Sequence, residues 1–238
     1  GSDLLFGDAG NDNLFGEADN DVIEGGDGDD AIDGGLGTDL VSYFGSLAGV
    51  IVDLNIIGAQ NTISAGMDTL VAMEDILGSG FDDILTGDAG ANFIFGDAGT
   101  DVLDGRAGAD TLNGEAGDDA LSGGGGADAL DGGAGAADWA EYSTSAAGVN
   151  VNLQNGAAAG GDAAGDTLTN IEYLRGSGLA DTLTGNTLNN WLFGGFGADQ
   201  IFGGDGADLL QGEGDADTLN GEGGIDSLAG GDGDDVLI

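Results

Sequence analysis

The sequence predicts an all-β fold, a parallel β-roll or β-solenoid, and three observations carry that prediction. A nine-residue unit recurs as seventeen complete copies in the 238 residues. Its first residue is always Gly and its eighth is always Leu, Ile or Val. Its sixth is Asp in fifteen copies, with Asn92 and Asn190 in the other two. A short, strict internal period marks an architecture of stacked repeats.

The copies fall into three blocks. Block 1 covers 1–42 and from Gly7 runs GDAGNDNLF, GEADNDVIE, GGDGDDAID, GGLGTDLVS. Block 2 covers 78–137, with six copies from Gly78, and block 3 covers 176–238, with seven from Gly176. Within a copy, the six Gly-rich residues form a tight turn, since Gly adopts φ > 0 without steric cost. The last three, of type x-Leu-x, form a short strand whose aliphatic side chain points inward. Alternating copies on two faces would stack a ladder of Leu14, Ile23, Ile32, Val41 and their equivalents. That core is thin. One buried aliphatic supplies about 1.5–3 kcal/mol, whereas ordering the backbone costs about 1–2 kcal/mol per residue. A second source of stability is required.

Two inserts, 43–77 and 138–175, separate the blocks and resemble each other. YFGSLAGVIVDL matches YSTSAAGVNVNL, and DTLVAMEDILGSGFDD matches DTLTNIEYLRGSGLAD. The alternation of Val50, Val52, Leu54 and of Val149, Val151, Leu153 predicts half-buried strands. Met73, Ile76, Ile171 and Leu174 are further inward candidates. The inserts are therefore expected to be wider β coils that continue the stack, with separate lobes or hinges as the alternative.

Charge narrows the function. The formal net charge is −43, from 45 acidic residues against Arg106 and Arg175 alone. Such a chain repels itself and needs cations to compact at neutral pH. It is a poor partner for nucleic acid or anionic membrane. No apolar run approaches the roughly 20 residues of a membrane span, and the N-terminus lacks the basic and apolar regions of a cleavable signal. Both ends fall inside repeats, as expected of a piece of a longer protein. Disorder, the usual fate of Gly-rich acidic chains, is opposed by the 40% apolar content and its regular placement. Collagen is excluded by the absence of Pro and of a three-residue Gly period.

The position-six aspartates are the candidate metal ligands. Stacking brings their carboxylates together, where repulsion opposes folding unless a divalent ion sits between them. Without His or Cys, an all-oxygen donor set suits Ca²⁺ rather than zinc or copper, and Mg²⁺ demands a stricter octahedron. The candidates are Asp12, Asp21, Asp30, Asp39, Asp101, Asp110, Asp119, Asp128, Asp199, Asp208, Asp217, Asp226 and Asp235. With them go the position-four glycines Gly10, Gly28, Gly99, Gly108, Gly117, Gly126, Gly197, Gly206, Gly224 and Gly233. Solvated turn aspartates are common wherever Asp and Gly meet, but a nine-residue phase held across three blocks favours ligands. No EF-hand loop is present.

The nonapeptide GGxGxDxUx resembles the repeat of RTX (repeats-in-toxin, hemolysin-type) proteins, over essentially the whole chain. The resemblance implies a parallel β-roll with Ca²⁺ between turn i and turn i+2, held by both Asp carboxylates and by backbone carbonyls of the Gly-rich positions. It also implies type I secretion, folding triggered by external calcium, and on the order of ten ions. Departures predict weak spots. Phe81, Leu179 and Leu188 replace Gly at position four, in turns expected to be transitions or caps. Asn92 and Asn190 bring no charge, and Asp19 and Asp215 at position four are either extra ligands or strained residues.

Catalysis is not expected. With no His, Cys or Lys, most nucleophile–base pairs are missing. Glu74 and Glu172 have the chemistry of glycosidase carboxylates, but they recur in both inserts, which suits a structural role. Tyr43, Tyr142, Tyr173, Trp139 and Trp191 suit a core or a roll edge better than a sugar-stacking surface. Three readings follow: a secreted spacer, scaffold or adhesin module; the non-catalytic region of a secreted protease, lipase or polysaccharide-modifying enzyme; or a self-assembling calcium-dependent filament or lattice. Calcium is the expected partner, with self-association or cell-surface and matrix contacts beside it, and no membrane insertion.

Overall fold

The structure is a computed structural model that describes residues 1–238. The x-Leu-x ends of the repeats form three-residue strands such as Val22–Glu24, Val102–Asp104 and Thr218–Asn220. Strands pair in parallel with the strand eighteen residues away: Leu5 with Ile23, Leu103 with Leu121, Ile201 with Leu219. Eighteen residues are two nonapeptides, so one coil holds two repeats and successive repeats lie on opposite faces. One face is a fourteen-stranded sheet, and the other is carried by a nine-stranded and a four-stranded sheet. A single 3-10 turn, Gly161–Ala163, is the one helical element. No helix is long and apolar enough to cross a membrane.

The position-eight aliphatics meet between the faces. Ile23, Val41, Leu85, Ile94, Leu103, Leu112 and Leu121 are fully buried, in one continuous apolar cluster that runs to Leu219. Strand period explains the neighbours: positions seven and nine flank each inward side chain and stay outside or half-buried, as in the exposed–buried–half-buried pattern of Phe93–Phe95.

The inserts pair with the blocks on both sides. Met67–Val71 pairs with Ala31–Asp33, Ile51–Asp53 with Ile84–Thr86, and Asp75–Leu77 with Leu40–Ser42. In the second insert, Thr167–Thr169 pairs with Ala129–Asp131 and Asn150–Asn152 with Thr182–Thr184. The middle strand of each insert departs from the parallel pattern. Ala157–Ala159 is antiparallel to both its neighbours. Ala59–Asn61 is antiparallel to Met67–Val71. Its other seam, to Asp53, is made by the Gln60 side chain, which accepts from Asp53 N at 2.8 Å and donates to Asp53 O at 3.2 Å. Ala158, in the matching place, is too short for that and allows a backbone ladder instead.

The five aromatics divide by face. Tyr43 and Tyr142 are buried. Trp139, Tyr173 and Trp191 form an outward ladder in sheet register. Tyr173 and Trp191 stack at 4.7 Å and 7°, while Trp139 meets Tyr173 edge-on at 5.0 Å. Tyr173 and Trp191 thus cover one face of each other's rings, as befits a roll edge. Both arginines hold acids on the outside of the roll: Arg106 pairs with Asp53 at 2.8 Å, and Arg175 lies near Glu141 and over the Phe193 ring.

Candidate metal centres

Most turns bring a position-six carboxylate inside the roll. Asp21, Asp30, Asp39, Asp101, Asp110, Asp119, Asp128, Asp199, Asp208 and Asp217 are at most 2% exposed. Their two oxygens have different surroundings. Oδ1 accepts the backbone N–H of the position-six residue one coil earlier: Asp21 N to Asp39 Oδ1 at 2.8 Å, Asp101 N to Asp119 Oδ1 at 2.8 Å, Asp199 N to Asp217 Oδ1 at 2.9 Å. Oδ2 is buried with no hydrogen-bond partner in all ten, and in Asp12 and Asp138 as well.

The orphaned oxygens sit over the glycine that opens the same turn. A Cβ on Gly105 would lie 2.5 Å from Asp110 Oδ2 and 2.9 Å from the Gly123 carbonyl of the next coil. The position-one glycine is thus required by a close approach, and a carboxylate oxygen and a carbonyl oxygen face one gap. The position-four glycines close the turn from the other side. Nine of the ten candidates, Gly126 excepted, have φ between 115° and 152°. A Cβ on Gly108, Gly126 or Gly206 would come within 2.9 Å of Oδ1 of Asp110, Asp128 or Asp208.

A buried carboxylate oxygen without a donor is costly. Burial, with neighbouring carboxylates adding to it, pushes Asp101 and Asp199 up to about 7 and Asp110 and Asp138 up to about 6. What these turns lack is positive charge, and what they offer is oxygen alone. That donor set fits a hard divalent cation.

The family model for the RTX calcium-binding nonapeptide repeat (4 copies) matches residues 1–41, 77–112, 104–136, 175–210 and 211–238. The chain belongs to this RTX family. Among curated proteins, none matches the chain.

The departures from the RTX pattern are satisfied by protein donors instead. Asn92 Oδ1 accepts from Asp88 N at 2.9 Å and its Nδ2 donates to Glu74 O at 2.6 Å; Asn190 bonds to Asn186 N and Glu172 O in the same way. In the turns of Phe81 and Leu179, Asp83 and Asp181 accept from the backbone and hydroxyl of Ser79 and Ser177. Asp19 and Asp215 adopt the left-handed region, at φ 77° and 75°, and bond outside the turn, to the terminal amine and to Gly197 N. Asp226 and Asp235 keep the Oδ1 bond, from Asp208 N and Asp217 N, but are half-buried.

Two kinds of residue escape the nine-residue phase. Asp138 closes GGAGAAD, a turn one residue longer than the repeat, yet it accepts from Asp119 N at 2.8 Å and its Oδ2 is orphaned. Asp68 and Asp166 open the inserts' Asp-Thr-Leu segments and accept from Asp30 N and Asp128 N. Their second oxygens accept from hydroxyls, Tyr43 and Thr62 for Asp68 and Tyr142 at 3.1 Å for Asp166. Burial and the Asp166 charge push the Tyr142 phenol further up, so it stays a donor. Tyr142→Phe is expected to orphan that oxygen and cost about 1–3 kcal/mol, read as a lower urea midpoint in saturating calcium. An unchanged midpoint would show that the hydroxyl contributes nothing.

Proposed function

We propose that this RTX chain is a calcium-folded structural module of a secreted protein, exported by the type I route and serving as a spacer, scaffold or surface-adhesive segment rather than as an enzyme. The observation that supports it is the set of twelve buried Oδ2 atoms without partners, one in each of twelve turns. Calcium, when bound, supplies the positive charge and the partner those oxygens lack. The chain's own residues set its place. The position-six carboxylates and the turn carbonyls provide donors, and the glycines leave the gap open. On this reading the blocks 1–42, 78–137 and 176–238 carry on the order of ten ions, while 43–77 and 138–175 are joined largely by hydrogen bonds.

Calorimetry of point variants tests the assignment. Asp208→Ala removes a buried carboxylate with an orphaned oxygen and is expected to weaken calcium binding. Asp162→Ala removes a half-buried carboxylate in the 3-10 turn of an insert and is expected to leave binding close to that of the unaltered chain. Equal effects would contradict the placement of ligands in the repeat turns.

A further inference from the structure

The position-six ladder does not stop where a block meets an insert. Asp39 N donates to Glu74 Oε2 at 2.8 Å, thirty-five residues on, and Asp138 N donates to Glu172 Oε2 at 3.3 Å, thirty-four residues on. Glutamate therefore stands where the next coil of a regular block would place aspartate. The turn that presents it is short. Ala72 precedes Glu74 by two residues, and a Cβ on Gly34 would collide with the Ala72 carbonyl and lie 2.6 Å from Asp39 Oδ2. The second insert repeats the close carbonyl, with Asn170 O and the Asp138 Cβ and Cγ against Gly132, while Asp138 Oδ2 lies against Gly135, as the turn one residue longer requires. Ala72 and Asn170 both hold left-handed backbones, φ 52° and 50°, a conformation that costs energy in a residue with a side chain. The longer reach of glutamate makes up for the shorter turn.

Both junctions carry the mark of the regular sites. Asp39 and Asp138 are 0% and 1% exposed, and each has a buried Oδ2 with no partner. The glutamate carbonyls accept from the Asn92 and Asn190 amides, and their carboxylates accept from Asp39 N and Asp138 N. Two carboxylates and a carbonyl are thus brought together twice, each time without a cationic side chain.

We propose that Asp39 with Glu74, and Asp138 with Glu172, each hold one further divalent cation of the calcium type, with the Ala72 and Asn170 carbonyls as additional donors. Glu74, Asp138 and Glu172 lie outside the residues the family model matches. Each ion clamps an insert where its ends meet, joining the turn of Asp39 or Asp138 to the strand that closes the insert, Asp75–Leu77 or Tyr173–Arg175. The proposal rests on the calcium reading above and extends it to residues outside the repeat.

Equilibrium dialysis of the full chain against radioactive calcium tests it. Glutamine keeps the acceptor for the Asp39 and Asp138 N–H groups and removes the charge. Glu74→Gln and Glu172→Gln are each expected to lose one ion, or to weaken one site about tenfold or more, and the double variant to lose two. Wild-type counts and affinities in all three would overturn the clamps while leaving the repeat sites standing. A wild-type chain that binds no calcium would sink the calcium reading itself. Anomalous scattering from wild-type crystals grown in calcium decides the matter whether or not a variant folds. Peaks touching Glu74 and Glu172 are expected, and peaks confined to the regular turns would overturn the clamps.

Discussion

Stripping calcium from the folded chain is expected to abolish most of its β-structure, and about millimolar calcium to restore it. The size of the effect follows from the orphaned oxygens. An unsatisfied buried polar group costs about 1–3 kcal/mol, and more when charged. There are twelve. Even at the low end the sum matches the whole net stability of a typical domain, about 5–15 kcal/mol. The thin core cannot make up the difference, since one aliphatic per nonapeptide already falls short of the ordering cost. Net charge acts in the same direction, because −43 is spread over a chain with two arginines, both already engaged in outward ion pairs. Circular dichroism during an EGTA titration measures the loss. A spectrum that stays unchanged would mean that the turns hold without metal, and the account of the fold's stability would fail.

Hydrogen bonding sets where that loss should begin and end. Asp68, Asp83, Asp166 and Asp181 have both oxygens partnered by protein donors. The turns of these four residues therefore depend less on the cation than the middle of blocks 2 and 3. There, Asp101, Asp110, Asp119 and Asp128, and Asp199, Asp208 and Asp217, follow one another without such relief.

The regular turns were legible in the sequence because three positions do three separable jobs. Gly at position one yields to a carboxylate, Asp at position six faces the gap, and the aliphatic at position eight fills the core. Each leaves a mark every nine residues. Asp138 was missed because one extra residue in GGAGAAD shifts the phase, although its backbone still stacks on Asp119. The partners of Asp68 and Asp166 were not legible for another reason. Tyr43 lies twenty-five residues away and Tyr142 twenty-four, separations set by how an insert folds back rather than by any period. The antiparallel strand Ala59–Asn61 was hidden as well, since its inward residue is Gln60, a polar side chain whose burial depends on the two bonds to Asp53. Glu74 and Glu172 were noticed for recurring in both inserts, but their alignment with the aspartate ladder appears only when the short turns at Ala72 and Asn170 are seen in space.

Acid is expected to act on the calcium-free chain in the direction opposite to ordinary acid denaturation. In the folded form, burial raises Asp101 and Asp199 to about 7 and Asp110, Asp138 and Asp166 to about 6, from an ordinary 3.8. The folded state therefore binds more protons than the unfolded chain between about pH 7 and about pH 4. By linkage, stability in that window rises as pH falls. The contribution is complete below the unfolded value and is lost as pH climbs through the folded values. Geometry gives the added proton a place to go, because the orphaned oxygen shares its gap with the glycine carbonyl of the next coil, as at Asp110 and Gly123. A protonated Oδ2 can donate there, where a charged one only repels. Chain freed of calcium by gel filtration should thus gain β ellipticity and urea resistance on acidification from about pH 7 to about pH 4. With calcium present the same protons compete for the ligand oxygens, so affinity should fall over that range. Ellipticity that stays flat or declines in the metal-free chain would mean that something other than unpaired carboxylate charge keeps it unfolded.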